Sequence, residues 1–177
     1  MASLALRRTS LLRRTLKVCW VFKPVLGGPF GPPSQGLEDF DMADAVTSQT
    51  LQDGPAVAVL NFTNLSDGSG EAAVKKVDVS ALSALQAAGH EAACNEVRIE
   101  KIVYATSGMV VRLLWDADTD DVCWELPSDE SGVLNFEGGG LKSPKSTGAT
   151  GDVMFTTVGH SSTDWYSVYL WLRKKYG

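Results

Sequence analysis

Short apolar blocks alternate with polar ones along most of this chain, and Gly, Pro, Asn, Asp and Ser cluster between them. The first clear block is residues 56–63. Asp53-Gly54-Pro55 precedes it and Asp67-Gly68-Ser69-Gly70 follows, and both are strong turn signals. In residues 73–79, Val77 and Val79 alternate with polar neighbours, the mark of a strand with one wet face. Residues 97–104 and 109–115 flank Ser107-Gly108, a hairpin signal. Three further strands are expected at 122–126, 132–136 and 152–157. The last block, 164–174, is apolar on both faces. Tyr166, Val168, Leu170 and Leu172 form one side; Trp165, Tyr169 and Trp171 form the other. Such a strand lies at the centre of packed layers or meets another subunit.

One segment breaks the period of two. Ala81, Leu82, Leu85 and Ala88 fall at helical spacing, with Gly89 to stop a helix. Residues 80–89 are therefore expected to be one or two helical turns or a crossing loop. Turn signals every eight to twelve residues predict an all-β domain. The expected architecture is an antiparallel β-sandwich of about eight strands, jelly-roll-like. An immunoglobulin-like sandwich is the near alternative.

Charge divides the chain in two. Up to Leu37 the ionised side chains are Arg7, Arg8, Arg13, Arg14, Lys17 and Lys23, all basic. From Met42 onward ten basic groups face eighteen acidic ones, a balance of −8. An acidic body gives no electrostatic reason to bind nucleic acid. No apolar run is long enough for a membrane-spanning helix. The expected domains are an extension, 1–41, and a β-domain, 42–177. The extension opens with an acid-free stretch rich in Arg, Leu and Ser/Thr, the composition of a mitochondrial transit peptide. Pro and Gly dominate residues 24–33, which reads as linker. A targeting segment, a basic arm and an upstream start all fit; a disordered arm or an early start is the favoured expectation, with Met42-Ala43-Asp44 as a natural beginning.

The body offers little chemistry. Cys19, Cys94 and Cys123 include no CxxC pair, so neither a disulfide framework nor a zinc knuckle is expected. His90 and His160 sit in Gly- or Ser-flanked loops with no second ligand at metal spacing. His160, Ser161, Ser162 and Asp164 have the residue types of a catalytic triad, but neighbours in one loop do not supply its orienting scaffold. Asp116, Asp118 and Asp120 fall at the first, third and fifth positions of a calcium loop. Asp121 then stands where the loop needs glycine, so a solvated acidic turn is the better reading. Gly138-Gly139-Gly140 and residues 146–152 lead into no helix and lack the phosphate-loop ending. Trp115, Trp124, Trp165 and Trp171 suit a core or interface better than a sugar platform. The expected site list is therefore empty: no catalytic residue, no metal and no cofactor.

Several short motifs occur in a characteristic order. They are Thr47-Ser48-Gln49-Thr50-Leu51-Gln52-Asp53-Gly54-Pro55 and Phe62-Thr63-Asn64-Leu65-Ser66-Asp67-Gly68-Ser69-Gly70-Glu71. Ile99-Glu100-Lys101-Ile102 and Val111-Arg112-Leu113-Leu114-Trp115-Asp116-Ala117 follow, then Gly139-Gly140-Leu141, Thr150-Gly151-Asp152-Val153, Thr156-Thr157 and the aromatic final strand. In this order the body, 42–177, resembles small virion structural proteins of tailed bacteriophages. Lys142-Ser143-Pro144-Lys145 departs from that pattern, which often carries a neutral polar pair after Gly-Gly-Leu, and residues 1–41 match nothing in it. The resemblance implies a β-rich, non-enzymatic protein present in many copies in the particle, as capsid decoration, head fibre, or connector or tail part. Its implied partners are other virion proteins and further copies of itself, a trimer for example, with no nucleic acid and no membrane. Assembly in the host cytoplasm follows from that reading. A carbohydrate-binding sandwich for host attachment, using Trp124 or Trp165, is the alternative from another class. A mitochondrial-type imported protein is a third, on residues 1–20 alone.

Overall fold

Eleven strands and one short helical turn make up residues 44–87 and 90–177, the part of the chain that this computed structural model describes. Expectations for residues 1–41, for a start at Met42, for Cys19 and for Gly89 as a helix stop lie outside these residues. The strands are β1 (Thr47–Asp53), β2 (Val57–Asp67), β3 (Val74–Val77), β4 (Leu85–Ala87), β5 (His90–Ala92), β6 (Cys94–Ser107), β7 (Val110–Trp115), β8 (Asp121–Leu126), β9 (Ser131–Asn135), β10 (Val153–Val158) and β11 (Ser162–Tyr176).

They form a five-stranded sheet, β1-β2-β11-β6-β9, a four-stranded sheet, β3-β10-β7-β8, and a separate hairpin, β4-β5. Four antiparallel pairs nest inside one another along the chain: β2 with β11, β3 with β10, β6 with β9, and β7 with β8. A ribbon of nested pairs rolled into two facing sheets is the jelly roll. The expected all-β sandwich is therefore present, and its eight principal strands pair in jelly-roll order. No helix among the described residues is long and apolar enough to cross a membrane.

Alternation explains the packing. Tyr166, Val168, Leu170 and Leu172 of β11 are fully buried. Ala58, Leu60 and Phe62 of β2 and Ile99, Ile102 and Tyr104 of β6 join them. Val111 and Leu113 of β7 and Val153 and Phe155 of β10 face them from the smaller sheet. Edge-to-face contacts lock the two layers: Phe155 lies 5.4 Å from Phe62 and 5.9 Å from Tyr166, at 70° and 62°. Removing a ring such as Phe62 costs about 3–5 kcal/mol, because the lost contacts are not refilled.

Three elements differ from expectation. The helical spacing of residues 80–89 yields only a three-residue 3-10 turn, Val79–Ala81, followed by the β4-β5 hairpin. Asp78 explains why the turn starts: its Oδ1 accepts from the backbone N–H and the hydroxyl of Ser80. Leu82 then returns to extended geometry, so the turn ends before a fourth apolar residue can be placed on a helical face. The second difference is β1, which the apolar pattern misses. It is polar on both faces and almost wholly exposed, and it exists because β2 offers it a free edge. A third difference is the hairpin expected at Ser107-Gly108: there is a turn, with Gly108 at a φ of 75° and its N–H donated to Asp129, but β6 and β7 do not pair, because the turn carries the chain from the five-stranded sheet to the four-stranded one.

Candidate functional site

The loop residues that carry chemistry by type are spent on structure. Asp164 does not orient His160. Its Oδ2 accepts from the backbone N–H of Ser161 at 2.6 Å, closing the turn into β11. His160 packs its ring where a side chain on Gly70 would otherwise sit. Asp116 accepts from the Thr150 hydroxyl at 2.7 Å, tying its turn to the loop before β10, and Asp120 accepts from the Ala117 N–H within the turn itself. No group of three acidic, His or Cys side chains that could hold a metal ion occurs among the described residues. His90 lies on β5.

The glycine loops serve close approach rather than phosphate binding. All of Gly138, Gly139 and Gly140 have positive φ. At Gly140 the carbonyl oxygen of Ile99 lies 2.8 Å from where a Cβ would stand. That approach lets Leu141 bridge Ile99 through two backbone hydrogen bonds. The loop that follows closes over the start of β6 and leaves a polar cleft of about 330 Å³, lined by Asn95, Glu96, Ser143, Lys145, Ser146 and Gly148, among others. Glu96 accepts from Lys145 and Lys175, each at 3.1 Å. Burial works to raise its carboxyl, but the two lysines outweigh burial and hold it below the usual carboxylate range. Cys94 and Cys123 are free thiols. Cys94 is in the core, and burial pushes the Cys123 thiol up to about 12, far from thiolate chemistry at neutral pH.

Several polar groups inside the sandwich were absent from the expected site list. Glu71 lies buried beside Lys76 at 2.5 Å and accepts from the Tyr166 hydroxyl at 2.8 Å. Burial first, and then the Glu71 charge, push the Tyr166 phenol far up. Lys174 is fully buried, pairs with Asp53, and donates to the carbonyl of Ser83 at 2.9 Å. Asp152 accepts from the Val79 N–H and pairs with Lys75 at 2.5 Å. One of these groups carried a readable signal, because Lys174 continues the inward series 166, 168, 170, 172.

The tryptophans part company. Trp115 is core; Trp124 packs edge-on against Phe136 at 5.3 Å and stays 38% exposed. Trp165 and Trp171 line the outer side of the five-stranded sheet, with Tyr169 between them. Strand register places three full rows on that outer side. Thr47, Thr63, Ser167, Ala105 and Ser131 form one; Gln49, Asn61, Tyr169, Val103 and Val133 form the next. Gln52, Val59, Trp171, Lys101 and Asn135 form the third. A partial row of Leu65, Trp165 and Ser107 lies above them. Lys101 is the one ionised side chain in these rows, and its Nζ sits 4.8 Å from the Trp171 ring centre. Trp165 (41%), Leu65 (43%) and Val133 (54%) remain open to solvent. A cleft of about 360 Å³ lies at the lower edge, between Trp171 and Phe136, with Glu100, Lys101, Asn135 and Glu137 around it.

No protein-family model matches this chain. No curated protein matches it either. Among solved structures it is similar to peruvianin-I, a cysteine peptidase from the latex of Thevetia peruviana. That likeness has 10% identity and a TM-score of 0.31, and it covers 77% of this chain and 66% of the peptidase. At that score it carries no inference about activity.

Proposed function

We propose that this chain is a non-enzymatic structural protein of a tailed-bacteriophage particle, most simply a capsid decoration or another multi-copy component. The observation that carries the reading is the outer face of the five-stranded sheet. It is broad, nearly free of charge, and open at Trp165, Leu65 and Val133. A face of this kind works by complementarity: aromatic and aliphatic groups at its centre exclude water, and polar rims set the register. The motif order through the body supports the same reading. A rigid jelly roll with its reactive residue types committed to turns suits a part that must hold its shape in many copies. Mass spectrometry of purified particles tests it. The expected result is the protein in the virion at tens of copies or more, and its absence from particles overturns the proposal.

The second reading, a carbohydrate-binding sandwich, draws on the Trp171–Phe136 cleft and its ring of carboxylate, amide and ammonium groups. An aromatic floor with polar groups at its edge is the usual chemistry for a sugar. It moves the expected ligand from Trp124 or Trp165 to Trp171. Glycan-array binding lost in Trp171→Ala supports it, and no binding on a broad array removes it.

A further inference from the structure

We infer that the outer face of the five-stranded sheet pairs with the same face of a second copy, across a two-fold axis perpendicular to the strands. The inference deepens the particle reading and rests on it for its biological role.

Self-association of an acidic body must first overcome like-charge repulsion, since residues 42–177 carry a balance of −8. The three full rows of this face carry no acidic side chain at all. The charges that flank the face are sorted by end. At the upper end β2 and β6 finish and β9 and β11 begin, and there lie Asp67, Asp129, Glu130 and Asp164. The turns at that end hold no lysine or arginine. At the lower end Arg98, Lys101, Arg173, Lys174 and Lys175 meet Asp53, Glu96, Glu100 and Glu137, a basic excess of one against a wholly acidic upper end.

This sorting chooses among the ways two copies can meet. A two-fold axis parallel to the strands would set acidic end on acidic end. An axis perpendicular to them, lying between the sheets, sets each acidic end on the partner's basic end. The aromatic stripe obeys the same operation. With the axis passing between Ser167 and Tyr169, Trp165 of one copy, open to solvent, meets the partner subunit's Trp171, half-buried beside its own Lys101. Lys101 then faces the partner subunit's Ser107 and the Asp129 carboxylate to which that serine donates. The strands stack as two aligned sheets, the ordinary geometry of face-to-face packing. Five strands span about 19 Å and Trp165 to Trp171 about 20 Å, a plane of about 400 Å² before side-chain relief and the charged rims are added. A standard interface takes about 800 Å² of accessible surface per partner, twice this plane, so the dimer must also bury the side-chain relief and both charged rims.

Sedimentation equilibrium on the full chain tests the inference. The expected result is a reversible dimer at micromolar concentration. Tyr169→Glu and, separately, Val133→Glu are expected to raise the dissociation constant at least tenfold, with circular dichroism and thermal unfolding confirming that each variant still folds. Asp129→Lys and Lys101→Glu, each confirmed as folded in the same way, weaken the dimer, and the double variant restores it, because the swapped charges meet across the axis. A native chain that stays monomeric overturns the inference, as does a dimer indifferent to Tyr169→Glu, or a double variant weaker than both singles. A monomer that instead binds glycans through Trp165 assigns the face to sugar and also overturns it. Presence in particles combined with a monomer in solution removes this inference alone. A dimer absent from particles removes the particle reading and leaves the interface standing.

Discussion

Lys174 shows how much one side chain carries inside this sandwich. Its stem follows the inward series of β11, and its ammonium ends on Asp53 and the Ser83 carbonyl, tying the C-terminal strand to the end of β1 and to the chain before β4. Lys174→Ala leaves the Asp53 carboxylate without its ammonium partner and opens a cavity. The expected cost is about 2–4 kcal/mol, below the figure for a wholly buried pair because Asp53 keeps contact with water. Thermal unfolding checks it. Burial alone would raise the Asp53 carboxyl, but Lys174 and the two Ser83 hydrogen bonds outweigh it and hold the group below 3.8. The unfolded chain therefore takes up that proton first as pH falls. The stabilisation is complete near neutrality and is lost as pH drops through and below about 4. Urea unfolding at pH 5 and pH 3 is expected to show a smaller difference for Asp53→Asn than for the native chain. At this scale the sequence was half informative. Period-two counting places Lys174 inside, whereas Glu71, Lys76 and Asp53 give no pattern, because their burial comes from strands far away in the chain.

Elements were legible where a strand has a wet face and a dry one. Blocks 56–63, 97–104, 109–115 and 122–126 each lie within an observed strand or extend it by one residue. The misses have physical causes. β1 has no dry face, so no hydrophobic count could find it. Residues 80–89 have helical spacing over too few positions, and a costly helix nucleus is not recovered by so short a run. The nested pairing of strands was expected from strand number and loop lengths, but which strand meets which is written in no local pattern. The connection from β9 to β10 gives the sharpest test of an element. Gly140 needs its positive φ of 75°, and a methyl there would strike the Ile99 carbonyl. Gly140→Ala is expected to cost about 2–3 kcal/mol and to loosen the Leu141 bridge. Gly138→Ala, at a similar φ of 81° but with open space around it, costs only about 1 kcal/mol. Paired thermal melts separate the steric contribution from the conformational one.

At the largest scale, the described residues form a sandwich whose larger sheet has an outer face with a single ionised side chain, Lys101. The candidate site was visible in the sequence as the second apolar side of β11, but its rows were not, since they depend on register across five strands. Because the proposed dimer sets opposite charges together at its rims, raising salt toward 1 M is expected to weaken it several-fold, with the aromatic centre holding the remainder. The nested jelly-roll pairing has a further consequence, which concerns time. β11 follows the other described strands along the chain and is the middle strand of the larger sheet, with Arg173 beside Val57 on one side and Arg98 on the other. Until that strand leaves the ribosome, β2 and β6 have no neighbour to join them, and the core has no Tyr166, Val168, Leu170 or Leu172. Loop closure over such distances is paid before any contact rewards it, which makes folding slow. The nascent chain therefore waits, open and unable to display a finished outer face, until β11 has been made. The outer face is thus completed only when β11 joins, after every strand it lies beside has been made.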